Sequence, residues 1–564
     1  MEEIQVQQLK TAENLPTEKE YEKEIEMIEK TFWGSIFPLS RKEILRVFLV
    51  TITYFFVGLA YAFLRQFKDT VVYEVLGVQA TNYLKVIVFF ISFKVITTVS
   101  GLFNTYGINK GFSLYILLMG GTLFIYGLLV VFRYYINPLG WSEQILNGLT
   151  WDIRGLKFLK PFLMMLNHFI MVGYYVLSEV LGSTLMSYTF MTYLNNNVTP
   201  NQMTRYLRAV YIGANISLLI TSKLVKTVSN FAERNFVASK KHYVSAMVFW
   251  GISLVLLITY WLKWLTEKEF QKSLYQGEQD KPKMKKKKKA TPGIVETIML
   301  TYQSSILFSM VVMSLGYNFL TTVAASLSQH VYKAYAMFLI MNPLENKRPG
   351  FIPTPSTVGI LFKSNENSIV AMTVIFLMLT PLFALVFKRT GIFLFAFTTL
   401  LFCVVSTISA LYYAAMNYPF GNFNKKILFG LYVPANEPQF EREAMAAATS
   451  NILIKIGKYA FYDLVKENVS TRIDPSDRAL YKGVFDGVAA KAGKMLGSVY
   501  GIINENIFGA NDARYTTPLA MIIATILAIM WVGSSIKLHR NYTNAVKNNT
   551  YLSEENVIKT LPSK

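Results

Sequence analysis

The chain has 564 residues, of which 52% are hydrophobic and only 16% charged, and its mean hydropathy is +0.33. Soluble domains carry about a quarter charged residues. An apolar excess that includes 34 Tyr and 41 Phe therefore excludes a disordered chain, a disulfide scaffold and a water-soluble enzyme, and points to a polytopic membrane protein. The formal charge of +21, from 56 Lys and Arg against 35 Asp and Glu, needs its own explanation: basic cytoplasmic loops, an anionic solute, or nucleic acid.

Residues 1–33 are crowded with Glu and Lys, so they read as solvated cytosolic chain and not as a secretory signal. A bilayer core about 30 Å thick needs roughly 20 apolar helical residues. That template fits 44–64, 83–104, 112–133, 161–194, 206–227 and 243–264. It fits again at 298–326, 367–387, 391–415 and 516–537. Two further stretches, 443–468 and 482–508, are long enough but carry several charges; being helix-like and rich in small residues, they bring the count to about twelve. Between the sixth and seventh spans lies a basic segment with Lys281, Lys283 and a run from Lys285 to Lys289. The positive-inside rule makes this loop cytoplasmic, and six spans on either side make both termini cytoplasmic too.

The expected fold is therefore an all-α polytopic membrane protein with about twelve transmembrane helices in two six-helix halves, major-facilitator-like. Its parts are a cytosolic tail (1–43), a first half (44–264), a basic linker (265–291), a second half (292–540) and a cytosolic C-terminal tail (541–564). The lysine run sits between membrane segments, so it reads as a solvated or lipid-facing loop, with no nucleic acid as partner. Residues 342–365, rich in Pro, read as an external loop. The single cysteine, Cys403, lies in an apolar run and reads as a small buried residue.

Ionisable groups inside spans are costly, so they are functional candidates. At the end of the first span Arg65 and Asp69 are four apart and suited to pair, which leaves Lys68 as an unmatched cation or a snorkelling one. Glu179 is the one carboxylate of the fourth span, on a stripe with His168, Tyr175 and Ser183; it needs a cation or a proton, and a structural ion pair is the plainer alternative. The fifth span opens with Arg205 and Arg208, with Asn215 on the same face. In 443–468 the spacing puts Asn451, Lys455, Lys458, Tyr462 and Lys466 on one helical face, with Asp463 and Glu467 off it. The next helix opens with Lys482 and Asp486 and continues through Lys491, Gly493, Lys494 and Gly497. Cations facing a cavity repel one another unless an anion joins them, so the expected solute is polyanionic, and Tyr175, Tyr211, Tyr459 and Tyr462 could stack a planar base. The segment "GVAAKAGK" has the wrong spacing and the wrong structural setting for a phosphate loop. No metal spacing, nucleophile–base pair or cofactor motif is present in the sequence, so no catalytic residue, metal or cofactor is expected.

Three ordered stretches carry a resemblance. "LRQFKDTVVYEVLGVQATNYLKV" (64–86), "YYVLSEVLGSTLMSYTFMTYLNN" with "YIGANISLL", and "GKYAFYDLVKENV" with "DRALYKGVFDGVAAKAGKMLGS" resemble signatures of the nucleotide transporters (ATP/ADP translocases) of plastids, intracellular bacteria and microsporidian parasites. The resemblance implies a twelve-helix transporter, not an enzyme, that exchanges ATP for ADP or moves other purine nucleotides, GTP included. The family's functional positions fall on Lys68, Glu179, Lys458, Lys466, Lys482 and Lys494. In the seventh span "YNFLTTVAA" keeps Asn318 but has Thr321 and Ala325 where the family has an acid and a lysine. The expected substrate contacts are thus Lys68, Glu179, Arg205, Arg208, Asn215, Asn318, Lys455, Lys458, Lys466, Lys482, Asp486 and Lys494. The expected partners are ATP, ADP and GTP together with the lipid bilayer, acting on a monomer in the plasma membrane of an intracellular parasite. Two alternatives stay open: a carrier of another organic or inorganic phosphate anion, and a membrane structural or lipid-handling protein whose charges are ion pairs and headgroup anchors.

Overall fold

Helix start and stop signals in the sequence set the boundaries of the elements. The computed structural model describes residues 15–136, 159–236, 242–276, 301–345, 353–417, 439–473, 483–507 and 512–547, with the single positions 240, 299, 481 and 552. The lysine run at 281–289 and Lys482 lie outside the described residues. In chain order the helices are α1 (Glu18–Glu29), α2 (Phe32–Ile36), α3 (Ile44–Val75), α4 (Gly77–Tyr106), α5 (Ile108–Val131), α6 (a run over 159–197), α7 (Pro200–Asn235) and α8 (His242–Phe270). They continue as α9 (Ser305–Met341), α10 (Pro355–Leu379), α11 (Pro381–Asn417), α12 (440–472), α13 (483–507) and α14 (Thr517–Lys547).

Thr199 and Thr354 each cap a helix through a capping box, with Pro200 and Pro355 at the first helical position, where a missing N–H costs nothing. Ten of these helices are long and apolar enough to cross a membrane; α12 and α13 carry more charge and pack among them. Exposed side chains such as Phe90, Phe124, Trp261, Phe376 and Ile529 form a lipid-compatible outer face. The chain is an integral, multi-pass, all-α membrane protein.

Three expectations are corrected. The first span does not stop at residue 64: α3 continues to Val75 and carries Arg65 and Lys68 within it. The loop expected over 342–365 is helical from Pro355, so the eighth span is 355–379 and not 367–387. Its first turns are polar because they face protein, with Ser356, Thr357, Ser364 and Glu366 all buried, and Pro381 starts a new helix. Nor is the N-terminal segment solvated throughout. Tyr21 and Ile25 of α1 are buried against Leu274 and Tyr275, beyond the end of α8.

The apolar core divides into two clusters drawn from residues 50–256, one of them joined by Ile360, and others drawn from 306–552; Cys403 is fully buried in the second group. Contacts between the two sets of helices are reciprocal. The second span of the first set, α4, packs on the fifth of the second, α13, while the fifth of the first, α7, packs on the second of the other, α10. Such an exchange is what a two-fold axis along the membrane normal generates. Small residues allow the close approach: a Cβ on Gly501 of α13 would lie 2.5 Å from Nδ2 of Asn82 on α4. The hydroxyl of Ser364 donates to the Ser222 carbonyl at 2.7 Å, and Asn506 Nδ2 donates to the Tyr83 hydroxyl at 3.0 Å across the same divide.

Candidate substrate site

The first and second sets of helices meet at Glu179. Its carboxylate, on α6, accepts from Lys68 Nζ of α3 and from Lys494 Nζ of α13, each at 3.3 Å. Lys68 is buried and stands 4.0 Å over the ring of Tyr175, one turn before Glu179 on the same helix. The stripe read from the sequence therefore does set Tyr175 and Glu179 against one cation. Arg65 donates to the Tyr61 hydroxyl at 2.8 Å. Arg65 and Lys491 both lie within electrostatic reach of Glu179, so among the described side chains four cations share one carboxylate. Lys68 is not unmatched, as the pairing of Arg65 with Asp69 would have left it. It is held by a helix distant in sequence, a partner that spacing along α3 cannot reveal.

Directly after Glu179, α6 passes into a π-helical stretch, Ser183–Phe190; α12 has one at Gly457–Tyr462, and α13 opens with one at Gly483–Ala489. π-Turns insert extra residues into a helix and cluster at functional sites. Along α12 the cations expected on one face meet three different sets of partners. Lys455 bonds Glu366 of α10 at 3.0 Å and Asn367 Oδ1 at 2.8 Å. Lys458 stands 5.8 Å from the Tyr317 ring and 5.4 Å from that of Tyr459. Lys466 pairs with Asp486 of α13 at 2.8 Å and with Asp463 at 3.4 Å. Tyr462 is in the core, stacked on Tyr317 at 5.6 Å between centroids.

Glu366 was missed from sequence. It is fully buried, and accepts from the Tyr332 hydroxyl at 2.5 Å and Asn451 Nδ2 at 3.1 Å as well as from Lys455. The available signal was that it is the single acid in an otherwise apolar and polar-neutral stretch, 355–379, apart from Lys363. Its placement at the edge of a supposed loop hid it.

The structure does not bring the remaining expected residues to this centre. Arg205 bonds Glu43 at 2.7 Å and the Tyr21 hydroxyl at 2.9 Å. Arg208 donates to the carbonyls of Ser35 and Ile36 at 3.1 Å, so both arginines fasten the N-terminal helices to the start of α7. Asn215 and Asn318 each donate to a carbonyl of their own helix, Tyr211 and Ser314 respectively. Asn318 also forms the surface on which Gly493 packs: a Cβ on Gly493 would lie 2.9 Å from the Asn318 Cβ.

A family model described as the TLC ATP/ADP transporter matches residues 21–542. The chain belongs to the TLC ATP/ADP transporter family. The ADP,ATP carrier protein 1 of Encephalitozoon cuniculi is 25% identical over 545 residues, 95% of this chain and 93% of that one. The ADP,ATP carrier protein 1 of Paranosema grylli is 24% identical over 552 residues, 95% of each. That of Chlamydia muridarum is 22% identical over 534 residues, 90% of this chain and 91% of its own. Among solved structures, the proton:xylose symporter XylE aligns at a TM-score of 0.49 and 12% identity, over 88% of this chain and 96% of that one. As a member of a TLC transporter family, the chain is a carrier and not an enzyme, and the resemblance in its three motif stretches holds over nearly its whole length.

Proposed function

We propose that the protein exchanges ATP for ADP across a membrane by alternating access, with GTP as a further candidate substrate. The relatives' names supply the nucleotide. The observation that carries the reading is the bridge Lys68–Glu179–Lys494, because it joins the two sets of helices through charges that a polyphosphate can compete for. Phosphate oxygens accept from the lysines as the carboxylate does, and a bidentate or multidentate anion offers more of them. Binding then exchanges a contact between the halves for contacts with the solute, and the two units, 44–264 and 292–540, rock about the site. Lys68, Glu179, Lys458 and Lys494 form its centre in this reading, with Lys466 and Asp486 on its second-half side and Lys482 expected there from sequence; Lys455, held by Glu366 and Asn367, braces that side from behind. Arg205, Arg208, Asn215 and Asn318 support it from the helices around. In this reading Tyr459, half-buried beside Lys458, stacks the purine. We further infer a monomer in the plasma membrane of an intracellular parasite, with both termini and the basic linker in the cytoplasm.

The test is counter-exchange in proteoliposomes loaded with ADP, using labelled ATP outside and GTP or phosphate as competitors. Wild-type protein should show saturable uptake that depends on the internal ADP. Lys68→Ala and Glu179→Ala should each abolish it while the protein still elutes as a folded monomer. Near-normal uptake in both variants, or uptake that ignores the internal nucleotide, overturns the assignment.

A further inference from the structure

Lys491 and Lys494 are three residues apart on α13, so their ammonium groups leave the helix on one side. Their surroundings differ. Lys494 has Glu179 at 3.3 Å. Lys491 is 9% exposed, and its Nζ has no hydrogen-bond partner among the described residues. The charges that act on it are Lys494, Arg65 and Lys68, all repulsive, and Glu179, already shared by two lysines. A snorkelling lysine would carry its ammonium to water, and a structural ion pair would leave no member over. A buried cation held among cations loses stability for the fold, and that loss is tolerable where an anion arrives to satisfy it.

We propose that Lys491 is a polyphosphate contact and a specificity residue of the exchange site, an inference that rests on the nucleotide reading above. Among the described side chains four cations stand around one carboxylate, more than a monophosphate neutralises, whereas a di- or triphosphate tail spans Lys491 and Lys494 together. As the tail takes the donors of these two lysines, Glu179 is left to Lys68, and the contact between α6 and α13 opens. Lys491 thus links recognition of tail length to release of the halves.

The experiment compares wild type, Lys491→Gln and Lys491→Arg in ADP-loaded proteoliposomes, with ATP, ADP and AMP as competitors of labelled ATP uptake. Loss of one charge-assisted hydrogen bond corresponds to roughly a tenfold to hundredfold change in binding. Lys491→Gln should raise the KM for ATP and the inhibition constant of ADP by about that factor, leave AMP within about threefold, and be largely rescued by Lys491→Arg. An unchanged KM for ATP, or an equal change for all three nucleotides, overturns the proposal. A second readout does not need transport. Lys491→Met removes an uncompensated charge, so it should raise Tm in the absence of nucleotide and shrink the Tm gain given by inorganic tripolyphosphate. A lowered Tm with an undiminished gain overturns it. If wild type shows no nucleotide exchange, the exchange reading fails, and the tripolyphosphate shift still decides whether Lys491 is an anion contact.

Discussion

Glu43 and Glu179 are both carboxylates that accept from cations on other helices, and they are arranged differently. Glu43 is fully buried at the start of α3, with Arg205 at 2.7 Å and the Tyr206 hydroxyl at 3.0 Å. Acid and arginine are matched one to one, and both belong to the same half. Glu179 is 14% exposed on its side chain, its two lysines stand at 3.3 Å, and one of them comes from the other half. A short, saturated pair between elements that move together fixes a structure. A longer, shared pair between elements that must separate can be replaced by a competing anion. Charge inside a membrane protein is therefore informative chiefly where it is unbalanced, and Arg205 at the mouth of α7 is balanced by Glu43.

The largest test of this contrast exchanges the lesion between the two acids. Glu179→Gln should cut ATP exchange at least a hundredfold while lowering Tm less than a lesion at Glu43, because Lys494, one of the two lysines it releases, is partly accessible and the buried Lys68 keeps the Tyr175 ring. Glu43→Gln should do the reverse. Breaking a buried ion pair costs about 3–5 kcal/mol, so Tm should fall markedly, yet the KM for ATP of the folded protein should stay within twofold of wild type. Measurement of both variants by thermal melting and by counter-exchange separates the two roles; a joint loss of exchange and stability in each would erase the distinction.

Lys455 and Glu366 set the next test, because their geometry sits between the two extremes. The pair joins α12 to α10 within the second half and is saturated by Tyr332, Asn451 and Asn367. By the rule above it belongs with Glu43. Lys455→Met should destabilise by about 3 kcal/mol, since it strands the buried Glu366, and Glu366→Met by less, since the Lys455 it releases is 23% exposed on its side chain. The double variant should regain much of that loss, as it strands neither. If Lys455 instead bound nucleotide directly, Lys455→Met would raise the KM for ATP by about tenfold or more, and the double variant would not recover it. Melting curves and KM values for the three variants decide.

What sequence could reveal followed from physical range. Hydropathy over some 20 residues is local, so ten spans were legible, and so was the stripe that sets Tyr175 beside Glu179. Lys68 and Glu179 were also found, because an ionisable group in an apolar run stands out wherever it lies. The partners were not legible, since Lys494 is 315 residues from Glu179. The partners along α12 were hidden in the same way: Glu366 lies 89 residues from Lys455. Within α12 the π-turn at Gly457–Tyr462 departs from the 100° per residue that periodicity assumes. Glu366 was lost to a boundary error of twelve residues, 367 against 355, because the polar first turns of α10 read as loop when they are polar to suit neighbouring helices.

A smaller effect should appear where α13 leans on α9. A Cβ on Gly497 would lie 2.8 Å from the Thr322 Cβ and 3.1 Å from its Cγ2, closer than side chains pack. Gly497→Ala therefore overpacks this seam, which in close-packed interiors costs about 1–3 kcal/mol. Lys491 and Lys494 ride on the same helix, so the displaced α13 should also weaken exchange, by a few-fold at the level of KM and not by abolition. Exchange assays beside melting curves would show that proportion. A hundredfold loss at this glycine would mean that α13 is itself the moving gate, and that the surplus of charge alone does not set the site.

The smallest effect belongs to the balanced region. Thr17 caps α1 in a reciprocal box with Glu20, its backbone N–H donating to the Glu20 carboxylate at 2.8 Å. The helix it starts docks through Tyr21, which also receives Arg205. Thr17→Ala removes the cap and should cost about 1 kcal/mol, confined to α1. Because Arg205 keeps Glu43 when α1 frays, the loss should appear as faster proteolysis within 18–29 with global Tm and ATP exchange unaltered. A change in exchange kinetics from so distant a cap would mean that the N-terminal helices take part in gating, and the division between fixed and replaceable charges would have to be redrawn to include them.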